Sequence, residues 1–165
     1  MLSPSEALEK VLISYTRYYD ILREGQEPFS AAAQFHSHGE SYILVKKAKV
    51  WDMDSHEYVY FYAADSLDAE TLCELEKLAW ERTLPQVKPS SIHRNSDAIL
   101  IILVPELDDE LRKCIRRMKH SVSYKSGFNG WSDFQACAYE LSTGTTTSNR
   151  RGRDLRKLLG NIFRN

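Results

Sequence analysis

The chain has 165 residues, of which 42% are hydrophobic and 27% are charged, and its formal net charge at pH 7 is −1. This composition excludes a disordered or fibrous chain and provides enough apolar residues for one domain with a substantial core. The longest strongly apolar run, Ala98–Val104, is too short to cross a bilayer. Because the N-terminus also lacks a signal-peptide pattern, we expect a soluble cytoplasmic protein with no membrane association.

The first part of the chain predicts a helix, a three-stranded meander and a second helix. Ser3, Pro4 and Glu6 are typical of a helix start with a capping box, and apolar residues continue at helical spacing to Leu22. Alternating apolar residues and short turns, one of them at Asp52–Ser55, then predict strands. The predicted elements are a helix from Ser3 to Leu22, strands Phe29–His38, Tyr42–Trp51 and Glu57–Ala63, and a helix Leu67–Leu84 capped by Asp65 and Ser66.

Three tyrosines, Tyr58, Tyr60 and Tyr62, share one face of the third predicted strand. Exposed aromatic side chains on a sheet can stack on nucleic-acid bases. The same pattern is expected where a sheet face packs beneath a helix, and the first helix offers three tyrosines of its own. We favour packing against that helix over base stacking.

The second part of the chain predicts a buried strand followed by a helix, further strands and a last helix. Ala98–Val104 is apolar throughout, which is typical of a central strand that is buried on both faces. The next helix follows Pro105 and carries an apolar stripe formed by Leu107, Leu111, Cys114, Ile115 and Met118. The remaining elements are a short strand at Val122–Tyr124, a strand Trp131–Leu141, an extended segment Thr145–Thr147 and a helix Arg150–Phe163.

These elements follow the order αβββα-βαββα over residues 1–165. We therefore expect a single α+β domain with a mixed β-sheet, helices packed on the sheet and Ala98–Val104 at its centre. The three cysteines are odd in number and widely separated, so we expect no structural disulfide. No nucleotide-binding glycine motif occurs, and we expect no cofactor.

Charge is distributed unevenly along the chain. Residues 1–110 contain 10 lysines and arginines against 20 aspartates and glutamates, a net charge of −10, whereas residues 111–165 have a net charge of +9. Such asymmetry indicates an electrostatic partner, which is either nucleic acid, an acidic protein, a second copy of the chain or the chain's own acidic part.

The segment that precedes the last helix predicts an anion-binding site. Ser148 and Asn149 are expected to cap this helix, and Arg150, Arg151 and Arg153 then crowd its first turn. Positive charge is unfavourable at a helix N-terminus, so this placement favours a compensating anion. The anion is either a ligand phosphate or a carboxylate of the same chain.

A second basic group follows the helix after Pro105 and consists of Arg112, Lys113, Arg116, Arg117 and Lys119. With the arginines of the last helix it predicts one positive face that contacts nucleic acid or an acidic protein. Our leading hypothesis is therefore a non-enzymatic binding module. A homo-oligomer joined by its acidic and basic surfaces is an alternative.

A second alternative is a metal-dependent hydrolase, perhaps nuclease-like. His36 and His38 point to the same side of a strand and Glu40 follows, which is a spacing that can hold zinc or iron. A third ligand is needed, which Glu40 or the more distant His56 or His93 could supply. The hydrolase would also use a nearby carboxylate, Asp52 or Glu57. A motif of two histidines has a high false-positive rate, and we expect no bound metal.

The stretch Gly127–Asp133 combines two glycines with Phe128 and Trp131. Glycines permit turns that other residues resist, and large aromatic side chains either pack in a core or form binding contacts. We interpret this stretch as a structural loop, with a binding role as the less favoured alternative.

Four stretches, FHSHGESYILVKKAKVW, HEYVYFY, GFNGWSDF and SNRRGRDL, resemble those of a family of small bacterial and archaeal proteins of unknown function. The order αβββαβ also resembles the core of the restriction-endonuclease-like fold, in which one strand carries an acid and the next carries an (Asp/Glu)-x-Lys pair. Here Glu57-Tyr58-Val59 has no lysine at that place, so the resemblance implies no catalytic activity.

Overall fold

The computed structural model describes residues 1–37 and 54–165 of the protein, and these residues form four α-helices and one seven-stranded sheet. The helices are α1 (Pro4–Tyr15), α2 (Ala69–Thr83), α3 (Asp109–Arg117) and α4 (Arg153–Arg164). The strands are β1 (Asp20–Leu22), β2 (Ala31–Ser37), β3 (Asp54–Ala63), β4 (His93–Val104), β5 (Ser121–Ser123), β6 (Trp131–Glu140) and β7 (Thr145–Ser148).

The sheet is mixed, and its strand order is β1-β2-β3-β4-β6-β5, with β7 also paired to β6. The pairs β3–β4 and β4–β6 are parallel, whereas the remaining pairs are antiparallel. Each parallel pair is connected by a helix, α2 or α3, as parallel neighbours require. The predicted α+β class and mixed sheet are therefore confirmed.

Strand β4 occupies the centre of the sheet, and every residue of Ala98–Val104 is buried. Its even-numbered side chains join a core formed with α2 and α3, and its odd-numbered side chains join a second core formed with α1 and α4. Helices thus cover both faces of β4, which confirms the prediction from its continuous apolar run.

Helix α1 begins at the predicted capping box, in which Ser3 and Glu6 exchange hydrogen bonds of 3.2 and 2.8 Å. Its predicted extension to Leu22 is wrong, since the helix ends at Tyr15 and Asp20–Leu22 forms the edge strand β1. The tyrosines that continued the helical spacing have different roles. Tyr18 is exposed, whereas Tyr19 packs against Phe35 on the neighbouring strand.

The predicted meander is also wrong. Strands β2 and β3 pair directly, from Ala31 opposite Phe61 to Ser37 opposite Ser55, so no strand lies between them over these residues. The strand predicted at Tyr42–Trp51 lies outside the described residues. The turn predicted at Asp52–Ser55 is replaced in part by β3, which already begins at Asp54.

The tyrosines of β3 alternate as predicted but face a different helix. Tyr58 and Tyr60 are buried in the core with α2 and α3, whereas Tyr15 of α1 packs with Phe61 on the opposite face. Tyr60 forms a 3.0 Å hydrogen bond with Thr83 at the end of α2. These two tyrosines are therefore inaccessible to a base.

Two helix starts differ from the prediction by a few residues. Helix α2 is capped by Asp68, whose side chain accepts the Thr71 N–H, and α3 is capped by Asp108, which accepts the Leu111 N–H. Cys114 of α3 is exposed rather than part of the apolar stripe, and all three cysteines are free thiols. Across residues 1–37 and 54–165, no helix has the length and apolar character needed to cross a membrane.

Candidate functional site

A basic cleft opens at the edge of β6, between the two strands that pair with this edge. Strand β5 pairs with residues 131–133 and β7 with residues 137–140, and the gap between them forms a cleft of about 390 Å³. The lining residues are Arg116, Arg117, Met118, Lys119, His120, Ser121, Asp133, Phe134, Arg150 and Arg151.

Five cations from two separate segments converge on this basic cleft. Arg116 and Arg117 end α3 and Lys119 follows it, whereas Arg150 and Arg151 precede α4. All five are exposed. Asp133 is the one acid among the lining residues, and its contact with Arg151 is long at 3.9 Å. Asp133 is largely buried and Arg151 is exposed, and one contact of this length offsets little of the charge of five cations, so the cleft retains a strong positive potential.

Buried Asn149 holds the two basic segments together. Its Nδ2 group donates to the carbonyl oxygens of Met118 and Phe134, at 3.1 and 2.9 Å. Its Oδ1 atom accepts the N–H groups of Ala136 and Gly152, at 3.0 and 2.9 Å. One side chain therefore joins the end of α3, the middle of β6 and the start of α4.

The predicted helix start at Arg150 is wrong. Helix α4 begins at Arg153, its N-cap is Gly152, and no side chain caps it. Asn149 turns the chain before the helix instead, and a Cβ atom at Gly152 would collide with the Ala136 carbonyl oxygen. Of the three arginines that were predicted in the first turn of this helix, only Arg153 lies there, and the neighbouring Asp154 offsets its charge.

The structure separates the predicted anion-binding residues into distinct environments. Arg150 and Arg151 line the cleft, whereas Ser148 and Arg153 are not among its lining residues. The amide of Asn149 is fully engaged by backbone groups of the chain. Its role is therefore to position the neighbouring arginines.

The predicted basic face is likewise divided. Arg116, Arg117 and Lys119 line the cleft, but Arg112 binds Glu140 through Nε and Nη2, at 3.0 and 2.7 Å. The Glu140 carboxylate is buried and also accepts the Leu107 N–H. Burial raises the pKa of Glu140, but the hydrogen bonds from Arg112 and Leu107 outweigh it and lower the pKa overall. Arg112 is therefore a structural residue.

Lys113 also lies outside the cleft and forms an exposed 3.4 Å ion pair with Glu110, one helical turn earlier. Exposed i,i+3 pairs contribute only a few tenths of a kcal/mol. Lys113 remains accessible to a partner that extends beyond the cleft.

A row of polar side chains borders the cleft on the face of the sheet that packs against α1 and α4. Asp97 accepts hydrogen bonds from the Asp133 N–H at 3.1 Å and from Asn95 at 3.0 Å. Burial raises the pKa of Asp97 to about 6. Glu57, one strand further, is half-buried and accepts a 2.8 Å hydrogen bond from the Tyr19 hydroxyl. These carboxylates therefore connect the strands with one another and with the segment between α1 and β1.

Of the predicted metal ligands, His36 lies on β2, at the other side of the sheet from the cleft. His36 and His56 are paired across β2 and β3, and their Nδ1 atoms are 2.7 Å apart, so one ring donates and the other accepts. They line an open cleft of about 500 Å³ with Asp54. His38, Glu40 and Asp52 lie outside the described residues.

Glu57 cannot complete a site with His36, because adjacent strand residues point to opposite faces and Glu57 directly follows His56. His93 stacks on His56 at 6.2 Å, but its two nitrogens contact the Asn129 carbonyl and the Ser96 hydroxyl. Within residues 1–37 and 54–165, no group of three or more potential ligands is arranged to hold a metal ion.

A hydrogen-bonded hairpin loop joins β5 to β6 beside the basic cleft. The Tyr124 N–H donates to Gly130 at 2.9 Å, and the Tyr124 hydroxyl pairs with Ser132 at 2.9 Å. The loop exposes Phe128, which is 82% accessible, and Trp131, which is 38% accessible. Phe128 therefore does not pack in the core, whereas Trp131 is only partly exposed.

The basic cleft and the hairpin loop lie within a stretch that one family model matches. No curated protein and no solved structure matches the chain. The expectation of an uncharacterised family is confirmed: the model described as a domain of unknown function (DUF8052) matches residues 3–161, and the chain belongs to that family.

Proposed function

We propose that the protein is a non-enzymatic binding module whose basic cleft holds the phosphate backbone of a nucleic acid. The observation that carries the proposal is the convergence of five exposed cations, from two segments more than 30 residues apart, on one cleft. Apposed arginines are suited to phosphate because the planar guanidinium donates two parallel hydrogen bonds.

A polymer fits the cleft better than a single small anion. Arg116, Arg117 and Lys119 lie on one side and Arg150 and Arg151 on the other, so that their charge exceeds that of one phosphate. A nucleic-acid backbone presents repeated phosphates, and each neutralised phosphate releases counterions, which favours binding. An acidic protein would satisfy the same charges without this regular spacing.

The cytoplasm is the compartment in which we place this activity. The support is chemical: Cys73 and Cys114 are exposed free thiols, which a reducing compartment preserves.

The proposal is tested by titrating labelled oligonucleotides of about 20 nucleotides with the protein at low salt. Fluorescence anisotropy measures the affinity. Substituting Arg150→Ala and Arg151→Ala together should weaken binding at least about tenfold, because two charge-assisted contacts are lost. The matched control is Arg17→Ala, an exposed arginine between α1 and β1, at the opposite edge of the sheet. Unchanged affinity in the double variant would refute the proposal.

Self-association is the competing use of the same charges. If the acidic part of one copy occupies the basic cleft of another, the wild-type protein should dimerise, and the double arginine variant should be monomeric in light scattering. A monomer that binds oligonucleotides favours the nucleic-acid proposal, whereas a salt-sensitive dimer that binds none favours the homo-oligomer.

A metal-dependent hydrolase is the second candidate, and the contact between His36 and His56 is the observation that favours it. Tetrahedral zinc holds imidazole nitrogens at about 2.0–2.1 Å, so the two rings would have to separate slightly to bind it. Elemental analysis of the purified protein separates the candidates: stoichiometric zinc that is lost in His56→Ala supports the hydrolase, and its absence supports the binding module.

A further inference from the structure

We infer that the nucleic acid in the basic cleft is single-stranded and that its bases stack on Trp131 and Phe128. This inference rests on the proposed function and specifies the class of ligand. The stacking surface would continue the basic cleft along the β5–β6 hairpin.

The position of Trp131 supports the inference. Trp131 and Asp133 are two residues apart on β6, so their side chains point to the same face of the sheet about 7 Å apart. Asp133 lines the basic cleft, and Arg151 contacts it. A base that stacks on the exposed part of the Trp131 ring therefore lies beside a phosphate held by Arg151.

Phe128 adds a second exposed ring to the same hairpin. It precedes Asp133 by five positions, which places it within about 17 Å of the cleft. At 82% accessibility, its ring contributes almost nothing to the core. Lys125 is exposed in the same loop and adds a cation three positions before Phe128. Cations alternating with flat apolar rings are the pattern that single-strand binders use.

The loop that carries Phe128 is held by an unusual backbone conformation and by hydrogen bonds. Lys125 and Ser126 adopt left-handed backbone angles, with φ of 47° and 53°, which are uncommon for residues other than glycine. The loop is anchored to β4 as well, since the Asn129 carbonyl lies 2.7 Å from Nδ1 of His93. Strained backbone that persists within a hydrogen-bonded loop is characteristic of functional sites, because the surrounding contacts offset its cost.

A double helix would use only part of this surface. Its phosphates can reach the cations of the cleft, but its bases are stacked on one another and their faces are covered. Single strands offer both the phosphate charge and the exposed base faces. The adjacent aromatic rings therefore select the single-stranded form.

The test compares Trp131→Ala and Phe128→Ala with the wild-type protein, using an oligothymidine of about 20 nucleotides and a duplex of equal length. Each substitution should weaken single-strand binding by about 5- to 100-fold and leave duplex binding within about twofold. Tyr18→Ala is the matched control, since Tyr18 is 65% exposed and lies beside β1, at the other edge of the sheet. Equal losses for both ligands, or no loss, would overturn the inference.

A second measurement does not depend on truncating a side chain. Oligothymidine should quench the tryptophan fluorescence of the wild-type protein, and Trp131→Phe should remove most of this quenching while retaining part of the affinity. Unchanged quenching in Trp131→Phe would contradict stacking on Trp131. A wild-type protein that binds neither ligand at low salt would refute the proposed function itself, whereas equal single-strand and duplex binding would refute only the stacking.

Discussion

The Nδ2 group of Asn149 donates a 3.1 Å hydrogen bond to the carbonyl oxygen of Met118 and thereby joins two basic segments that are distant in the sequence. Met118 follows Arg116 and Arg117, and Asn149 precedes Arg150 and Arg151. The geometry of the basic cleft therefore depends on a buried amide that itself carries no charge.

Replacing this amide should damage both stability and binding. Asn149→Ala leaves buried N–H and C=O groups without partners, so we expect the free energy of unfolding to fall by about 3 kcal/mol. Urea denaturation measures this loss. Ser148→Ala is the control, because Ser148 is only half-buried, and it should change stability by less than about 0.5 kcal/mol. Equal stability of the two variants would contradict the role of Asn149.

Arg112 should behave as a structural residue, although it belongs to a basic sequence. Arg112→Ala leaves the buried Glu140 carboxylate without its charged partner and should lower the free energy of unfolding clearly more than Lys113→Ala does. Lys113→Ala removes an equal charge at the surface and should cost less than about 0.5 kcal/mol. The urea midpoints of the two variants distinguish a buried pair from a surface pair, and similar midpoints would refute the assignment.

Two glycines of the hairpin loop should differ sharply in their tolerance of alanine. Both have positive φ, but a Cβ atom at Gly130 would lie 2.6 Å from the His93 carbonyl oxygen, whereas no atom lies within 4 Å of one at Gly127. Gly127→Ala should therefore cost about 1 kcal/mol of backbone strain, and Gly130→Ala considerably more. Thermal denaturation measures both, and equal shifts in Tm would contradict the close packing of this loop on β4.

Asp97 should make stability depend on pH in the acidic range. Burial raises the pKa of Asp97 to about 6, so its carboxyl group holds a proton more tightly in the folded protein than in the unfolded chain. Its contribution to stability is present at low pH and is lost as the pH rises from about 4 to about 6, a change of about 3 kcal/mol. Asp97→Asn should lack this contribution. As the pH rises through this range, the unfolding free energy of the wild type should therefore fall relative to that of the variant.

The sequence predicts the layout of the sheet better than it predicts its edges. The apolar run Ala98–Val104 has one interpretation, because a strand buried on both faces needs apolar residues at every position. Asp20–Leu22 was predicted as helix because Tyr15, Tyr18, Tyr19 and Leu22 recur at helical spacing, and no local signal after Tyr15 separates a continuing helix from a short strand. Only the pairing of Ile21 with Ala33 distinguishes the two, and this contact is not visible in local spacing.

The candidate site was predicted only in part, for a similar reason. Basic residues near Arg116 and Arg150 are evident in the sequence, but their convergence depends on the long-range bonds of Asn149. Arg112 was grouped with them because its buried partner, Glu140, lies 28 positions later. A capping residue at Asn149 was predicted from its type and position, whereas its actual bonds require the partner strand β6.

The salt dependence of oligonucleotide binding tests the central claim most directly. If the basic cleft holds phosphates, a plot of log K against log salt concentration should be linear, with a slope of about −0.7 per phosphate contact for a single strand. The combined Arg150→Ala and Arg151→Ala substitutions should reduce the magnitude of this slope by about 1.4, and Arg17→Ala should leave it unchanged. A slope that is the same in all three proteins would contradict the basic cleft as the site of binding.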